Sequence, residues 1–152
     1  MRLQHPPKGS FHPDDISVSE NLKQLLIASS DWFAQEVMKG VQQTPYDYLT
    51  PAQSRLLANM GGKPMSMADL GRRLAVSRQA VHKMVMELSR RGILALQDDP
   101  GRRHGKLVVY TEKGRQLNRA GAQLIDTIEQ NIEKRIGPTE LASLKRLLAQ
   151  IR

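Results

Sequence analysis

One stretch constrains the fold of this chain more than any other: Leu70-Gly71-Arg72-Arg73-Leu74-Ala75-Val76-Ser77-Arg78-Gln79-Ala80-Val81. A small residue within a first helix and another in the turn after it let two helices cross at close range, the spacing of a helix-turn-helix. Gly71 and Ala75 occupy those two places. Ser66 is a good cap for the first of these helices, over 66–73, with Asp69 at its third position; Ser77 caps the second, which runs to Arg91 before Gly92 stops it. On a wheel of about 100° per residue, Val81, Met84, Val85 and Leu88 share one arc and are assigned to the core. Gln79, His82, Lys83, Met86 and Arg90 then point outward.

The flanks agree with this reading. Ile93 to Leu96 and Lys106 to Thr111 are β-branched runs joined by QDDPGRRHG, which predicts a hairpin with a basic tip. Upstream, Thr50-Pro51-Ala52-Gln53 carries a cap, a first-turn proline and a capping-box glutamine. It opens a helix whose buried face is Leu56, Leu57 and Met60 and whose end is Gly61-Gly62. Residues 49–112 thus form one lobe. A first helix over 17–42, capped by Ser17 and Glu20, and a loop complete residues 17–48. Residues 113–152 hold two further helices, with Leu117, Ala120, Leu124, Ile128, Ile132 and Ile136 as one stripe, a corner at Gly137-Pro138, and Leu141, Leu144, Leu147, Leu148 and Ile151 beyond it. Residues 1–16, rich in proline, read as an irregular arm. The expected class is mainly α with a small β-hairpin wing: a winged helix-turn-helix between N- and C-terminal helices.

Charge is unevenly spread. Lys and Arg outnumber Asp and Glu 23 to 15, a formal charge of +8. Between Lys63 and Lys106 there are ten basic residues against four acids, so the surplus concentrates in the lobe. That is the footprint of a polyanion partner. A major groove offers phosphate oxygens at its walls and donor and acceptor patterns on its floor. Ser66, Ser77, Arg78, Gln79, Ala80, His82 and Lys83 at the helix starts and outward face, with Arg102, Arg103, His104 and Lys106 in the hairpin, are the candidate duplex contacts. A wing arginine has a competing assignment, pairing with Asp98 or Asp99 to fix the hairpin.

Four segments, YLTPAQSRLLANM, PMSMADLGRRLAVSRQAVHKMVMELSRRGILAL, DDPGRRHGKLVVYTEKG and GPTELASLKRLLAQI, resemble successive landmarks of the MarR family of regulators. The resemblance spans about residues 17–152. It implies a sequence-specific double-stranded DNA-binding transcriptional regulator, a repressor binding a pseudopalindromic operator as a homodimer through helices from both chain ends. The recognition helix would enter the major groove and a wing arginine the minor groove, where narrow A·T tracts attract guanidinium groups. Here His104 stands where that family has arginine, so the tip contact is assigned to Arg103, with Arg102 second. The resemblance also implies release by a small aromatic effector, for which Trp32, Phe33, Tyr46 and Tyr48 are candidate lining residues; ordinary packing is the competing account of each.

Other classes fare worse. With no cysteine, disulfides and thiolate metal sites are excluded. His5 and His12 lack a third ligand in spacing, so no metal site and no cofactor is expected. There is no nucleophile elbow, phosphate-cradling glycine loop or His-Glu-x-x-His pair, and the chain is read as no enzyme. No apolar run reaches the about 20 residues of a membrane span, and no signal peptide is evident, so a cytoplasmic protein is expected. The alternative function is a sequence-tolerant nucleic-acid-binding or architectural winged-helix protein.

Overall fold

The structure, a computed structural model, describes residues 21–151. The proline-rich arm, His5, His12 and the expected Ser17–Glu20 box lie outside the described residues. The chain divides into two units at the Phe33/Ala34 boundary, which falls within α1, Leu22–Val41. In the N-terminal unit the reciprocal cap is made by Asn21 and Gln24. The Gln24 amide donates to Asn21 Oδ1, and the Asn21 amide donates to Gln24 Oε1, both at 3.1 Å. Trp32 and Phe33 pack edge to face, with centroids 6.2 Å apart.

The second unit contains the rest of α1, then α2 (Pro51–Met60), β1 (Met65–Ser66), α3 (Met67–Leu74), α4 (Arg78–Arg90), β2 (Leu94–Asp98), β3 (Lys106–Tyr110), α5 (Glu112–Ile136) and α6 (Pro138–Gln150). The α2 cap forms as its sequence dictates. Thr50 Oγ1 accepts from the Gln53 amide, Gln53 Oε1 accepts from the Thr50 amide, and Gly61 closes the helix in the left-handed region. Gln53 is nevertheless buried, because its Nε2 donates to Glu87 of α4 at 2.9 Å and so ties the start of α2 to α4.

The expected two-stranded wing is a three-stranded antiparallel sheet in the order β1-β3-β2. Met65 and Ser66 pair with Val108 and Leu107, a bridge too short to leave an alternating pattern in sequence. The hairpin is also displaced from its expected bounds. β2 runs two residues further, to Asp98, because its register with Lys106 continues the ladder. β3 stops at Tyr110, since Thr111 turns out of the sheet to cap α5, accepting from the Gly114 amide while donating to the Gly92 carbonyl. Gly114 is required at that junction: a Cβ there would stand 2.0 Å from the Ile93 carbonyl oxygen.

The core lies under the helix-turn-helix. Leu56, Leu70, Val81, Val85, Leu88, Ile93 and Val108 are fully buried around it. Met84, assigned to the core with them, is only half-buried, and Met86, assigned outward, is half-buried too. Leu74 belongs to α3 rather than to the turn, which shrinks to Ala75 and Val76. Ala75 takes the tight position with φ of 54°. In α5 only Gly114, Leu117 and Ile128 are buried, and in α6 only Leu141.

Candidate nucleic-acid interface

The exposed side of α4 follows from its cap and its apolar arc. Ser77 Oγ accepts from the Ala80 amide at 3.1 Å, which orients the first turn and leaves the hydroxyl proton free to donate outward. With Val81, Val85 and Leu88 turned inward, Arg78, Gln79, His82, Lys83 and Arg90 are exposed on the other side, and Ala80 is half-buried between them. Ser66 differs from Ser77. Its hydroxyl accepts from the Asp69 amide and donates to Asp69 Oδ2 at 2.6 Å, so its proton is already placed within α3.

The wing tip, residues 99–105, is closed by its own backbone. The Asp99 amide donates to the Gly105 carbonyl, Arg102 to Asp99, and Gly105 to Arg102, at 2.9, 3.2 and 3.0 Å. Asp99 Oδ1 also accepts from the Gly101 amide at 2.8 Å. Asp98 is ion-paired to Lys106 across the ladder at 2.5 Å, and this hydrogen bond holds its carboxyl below the usual carboxylate range. Both acids that competed for a wing arginine are therefore engaged elsewhere. His104 adopts φ of 63°, a left-handed conformation at the tip where the chain reverses. Arg102, Arg103, His104 and Lys106 are all exposed.

The Asp69 carboxyl is held below its ordinary range first by the Ser66 hydroxyl that donates to it, then by the nearby Arg72 guanidinium, with a smaller contribution from the charge of Arg102. Arg72 also pairs directly with Asp69, and Arg73 donates to the Asn59 carbonyl at 3.3 Å.

A cavity of about 310 Å³ opens between the end of α1, α2 and the first half of α5. Of the four aromatic residues nominated as lining, Tyr46 is in its wall and the other three are not. Tyr48 lies instead under the Arg91 guanidinium, 4.0 Å from the ring centroid, and burial pushes its phenol above the ordinary value against the opposing charge of Arg91. Wall residues that sequence reading missed, Leu57, Leu117 and Leu124 among them, sit on stripes assigned to packing. The small run Ala120-Gly121-Ala122 in mid-helix was the available signal. Among the described residues no group of His, Asp or Glu could hold a metal ion, and no helix is long and apolar enough to cross a membrane.

Comparison with known proteins agrees with this geometry. A sequence model of the MarR family matches residues 49–103. Uncharacterized proteins of Mycobacterium bovis and Mycobacterium tuberculosis are 26% identical over 107 residues, 68% of this chain and 75% of theirs. Among solved structures, Escherichia coli MarR in its apo form is 21% identical with a TM-score of 0.71, over 87% of this chain and 97% of that one. NadR in complex with 4-hydroxyphenylacetate is 18% identical with a TM-score of 0.72, over 89% and 94%. A Mycobacterium tuberculosis MarR family protein in complex with salicylic acid is 20% identical with a TM-score of 0.70, over 89% and 98%. Residues 49–103 match the sequence model of the MarR family, and the chain has the fold of the solved MarR-family regulators it resembles.

Proposed function

We propose that this protein is a transcriptional repressor that binds a pseudopalindromic duplex as a homodimer and is released by a small aromatic ligand. The observation that carries the reading is the exposed polar face of α4 beside an arginine-bearing wing. In this reading Gln79 and Arg78 contact base edges, Ser77, His82 and Lys83 flanking phosphates, and Arg103 the adjacent minor groove. Arg103 is assigned as the tip contact, with Arg102 second.

Two-fold assembly is supported by the apolar residues that both ends of the chain leave exposed: Leu22, Leu25, Leu26 and Ile27 in α1, Leu144, Leu147 and Ile151 at the other end. Exposed apolar side chains on this scale mark an interaction surface. Paired recognition helices would then sit about 34 Å apart, one turn of duplex. The aromatic acids held by two proteins of similar fold support a ligand in the cavity.

The test is affinity for a selected pseudopalindromic duplex against random duplex at one fixed salt concentration. A ratio of about 10³ or more is expected of a specific regulator; a ratio near one assigns the chain to sequence-tolerant binding. Gln79→Ala should relax preference at one base position by about 1–3 kcal/mol, whereas Arg103→Ala should weaken binding more broadly and lower the salt slope.

A further inference from the structure

The cavity is unusual in what its wall lacks. Among the described residues, its lining includes Val41, Leu49, Leu57 and Ile125 but contains no Lys, Arg, His, Asp or Glu. The polar groups it offers are neutral: Thr44, Tyr46, Ser54 and Asn118. Thr44 is largely consumed by its own loop, donating to the Val41 carbonyl at 2.6 Å and accepting from the Tyr46 amide at 3.1 Å. Arginines in the adjoining sequence are held outside, Arg115 and Arg119 both by Glu112 on α5.

Gly121 shows that the space is kept open. It sits within the 25-residue α5, where glycine is destabilising relative to alanine. A Cβ built on Gly121 would meet nothing within 4 Å, although the residue lines the cavity. Gly40, by contrast, is pressed against Leu124, whose Cδ2 would stand 2.7 Å from an added Cβ. Close packing therefore explains the glycine in α1 and not the one in α5.

We infer that this cavity takes a neutral aromatic molecule of one or two rings carrying a single hydrogen-bonding group, and that it discriminates against carboxylates. The inference rests on the proposed reading of the cavity as the ligand site. Its volume is about 310 Å³, well above the ~150 Å³ that holds benzene, so a fused pair of rings is within its size class. Such rings match the apolar wall, and a hydroxyl can bond to Ser54, Tyr46 or Asn118. A carboxylate entering the same wall would lose its water without gaining a cation, which costs several kcal/mol.

The full chain is titrated in a calorimeter with 1-naphthol and with 1-naphthoate, the same rings differing in charge at neutral pH. Naphthol should bind at least tenfold more tightly. Gly121→Leu, which fills the cavity from α5, should weaken naphthol at least tenfold while retaining a cooperative thermal transition; Gly121→Ala should weaken it less. Equal or tighter binding of naphthoate would overturn the inference, as would absence of naphthol binding or unchanged binding by Gly121→Leu. Duplex affinity measured without either compound tests the regulatory reading separately, since its failure leaves the naphthol comparison intact.

Discussion

The lobe at residues 49–112 and the helices that follow it are built to different rules. In the lobe, α2, α3 and α4 each begin with a hydroxyl that accepts from the third helical amide, and their apolar arcs meet in a core that includes Leu56, Leu70, Val81 and Leu88 at 0% exposure. α5 and α6 are longer together, yet bury only four residues between them, and α6 starts at Gly137 without any side-chain cap. Ile136, Leu144, Leu147 and Ile151 remain exposed. A helix is held mostly by the packing of its apolar face. The lobe satisfies that condition within one chain, and the C-terminal helices do not. Stability in the first region should therefore answer to single core atoms, and in the second to protein concentration.

The largest expected effect is in the lobe core. Leu88→Ala removes a fully buried side chain from the inner face of α4 and should cost about 2–5 kcal/mol in denaturant unfolding. Leu147→Ala, half exposed in α6, should change the dilute protein by no more than about 0.5 kcal/mol. Similar losses at the two sites would erase the distinction.

A pH experiment sharpens the same contrast. Tyr110 donates its phenol proton to the Leu57 carbonyl at 2.8 Å, and burial pushes its pKa up to about 12. The folded phenol holds its proton more tightly than the unfolded one, whose pKa is near 10. The stability tied to it is therefore whole below about pH 10 and falls as the pH rises through about 12. The full loss is roughly 2–3 kcal/mol for a shift of this size. Tyr110→Phe should be less stable at pH 7 by about 1–2 kcal/mol, with the Leu57 carbonyl left unpaired. It should also lose less than the parent between pH 10 and 12. An alkaline profile identical in both proteins would show that the lobe does not owe that sensitivity to Tyr110.

How much of this was legible depended on range along the chain. Caps at Thr50, Ser66 and Ser77 involve partners three residues away, so the sequence carries them almost whole. The inner face of α4 was legible at Val81, Val85 and Leu88 for the same reason, because a helical period is local. Met84, half-buried but packed against the core, and Met86, half-buried on the outward side, were less legible, because residues at the edge of an arc are buried or not according to what other elements bring beside them. The Met65–Val108 bridge and the Gln53–Glu87 link join distant positions, and no local pattern announces them. The candidate contacts on α4 were found from its wheel, whereas the leucines of the cavity wall were hidden among ordinary packing stripes.

The turn between α3 and α4 offers a smaller effect of opposite sign. Ala75 has φ of 54°, where a Cβ is strained and glycine is not. Ala75→Gly should raise stability by about 0.5–1 kcal/mol, the relief of strain being partly offset by the greater freedom of glycine in the unfolded chain. Thermal unfolding checks the sign, and a loss would mean that the Ala75 methyl contributes more by packing than its conformation costs.

The smallest effect on the isolated chain should be the most informative about the helices. Leu144→Asp with Leu147→Asp changes two exposed positions of α6, and for dilute protein the expected change is no more than about 0.5 kcal/mol. If a second copy covers α6, the parent must melt at higher temperature as its concentration rises, because association stabilises only the folded state. The double variant should lose that concentration dependence, sediment as a monomer and bind a pseudopalindromic duplex with the affinity of a single half-site. Retention of the parent's concentration dependence would place the copy-to-copy contact elsewhere, and α6 would then need another reason for leaving its leucines in water.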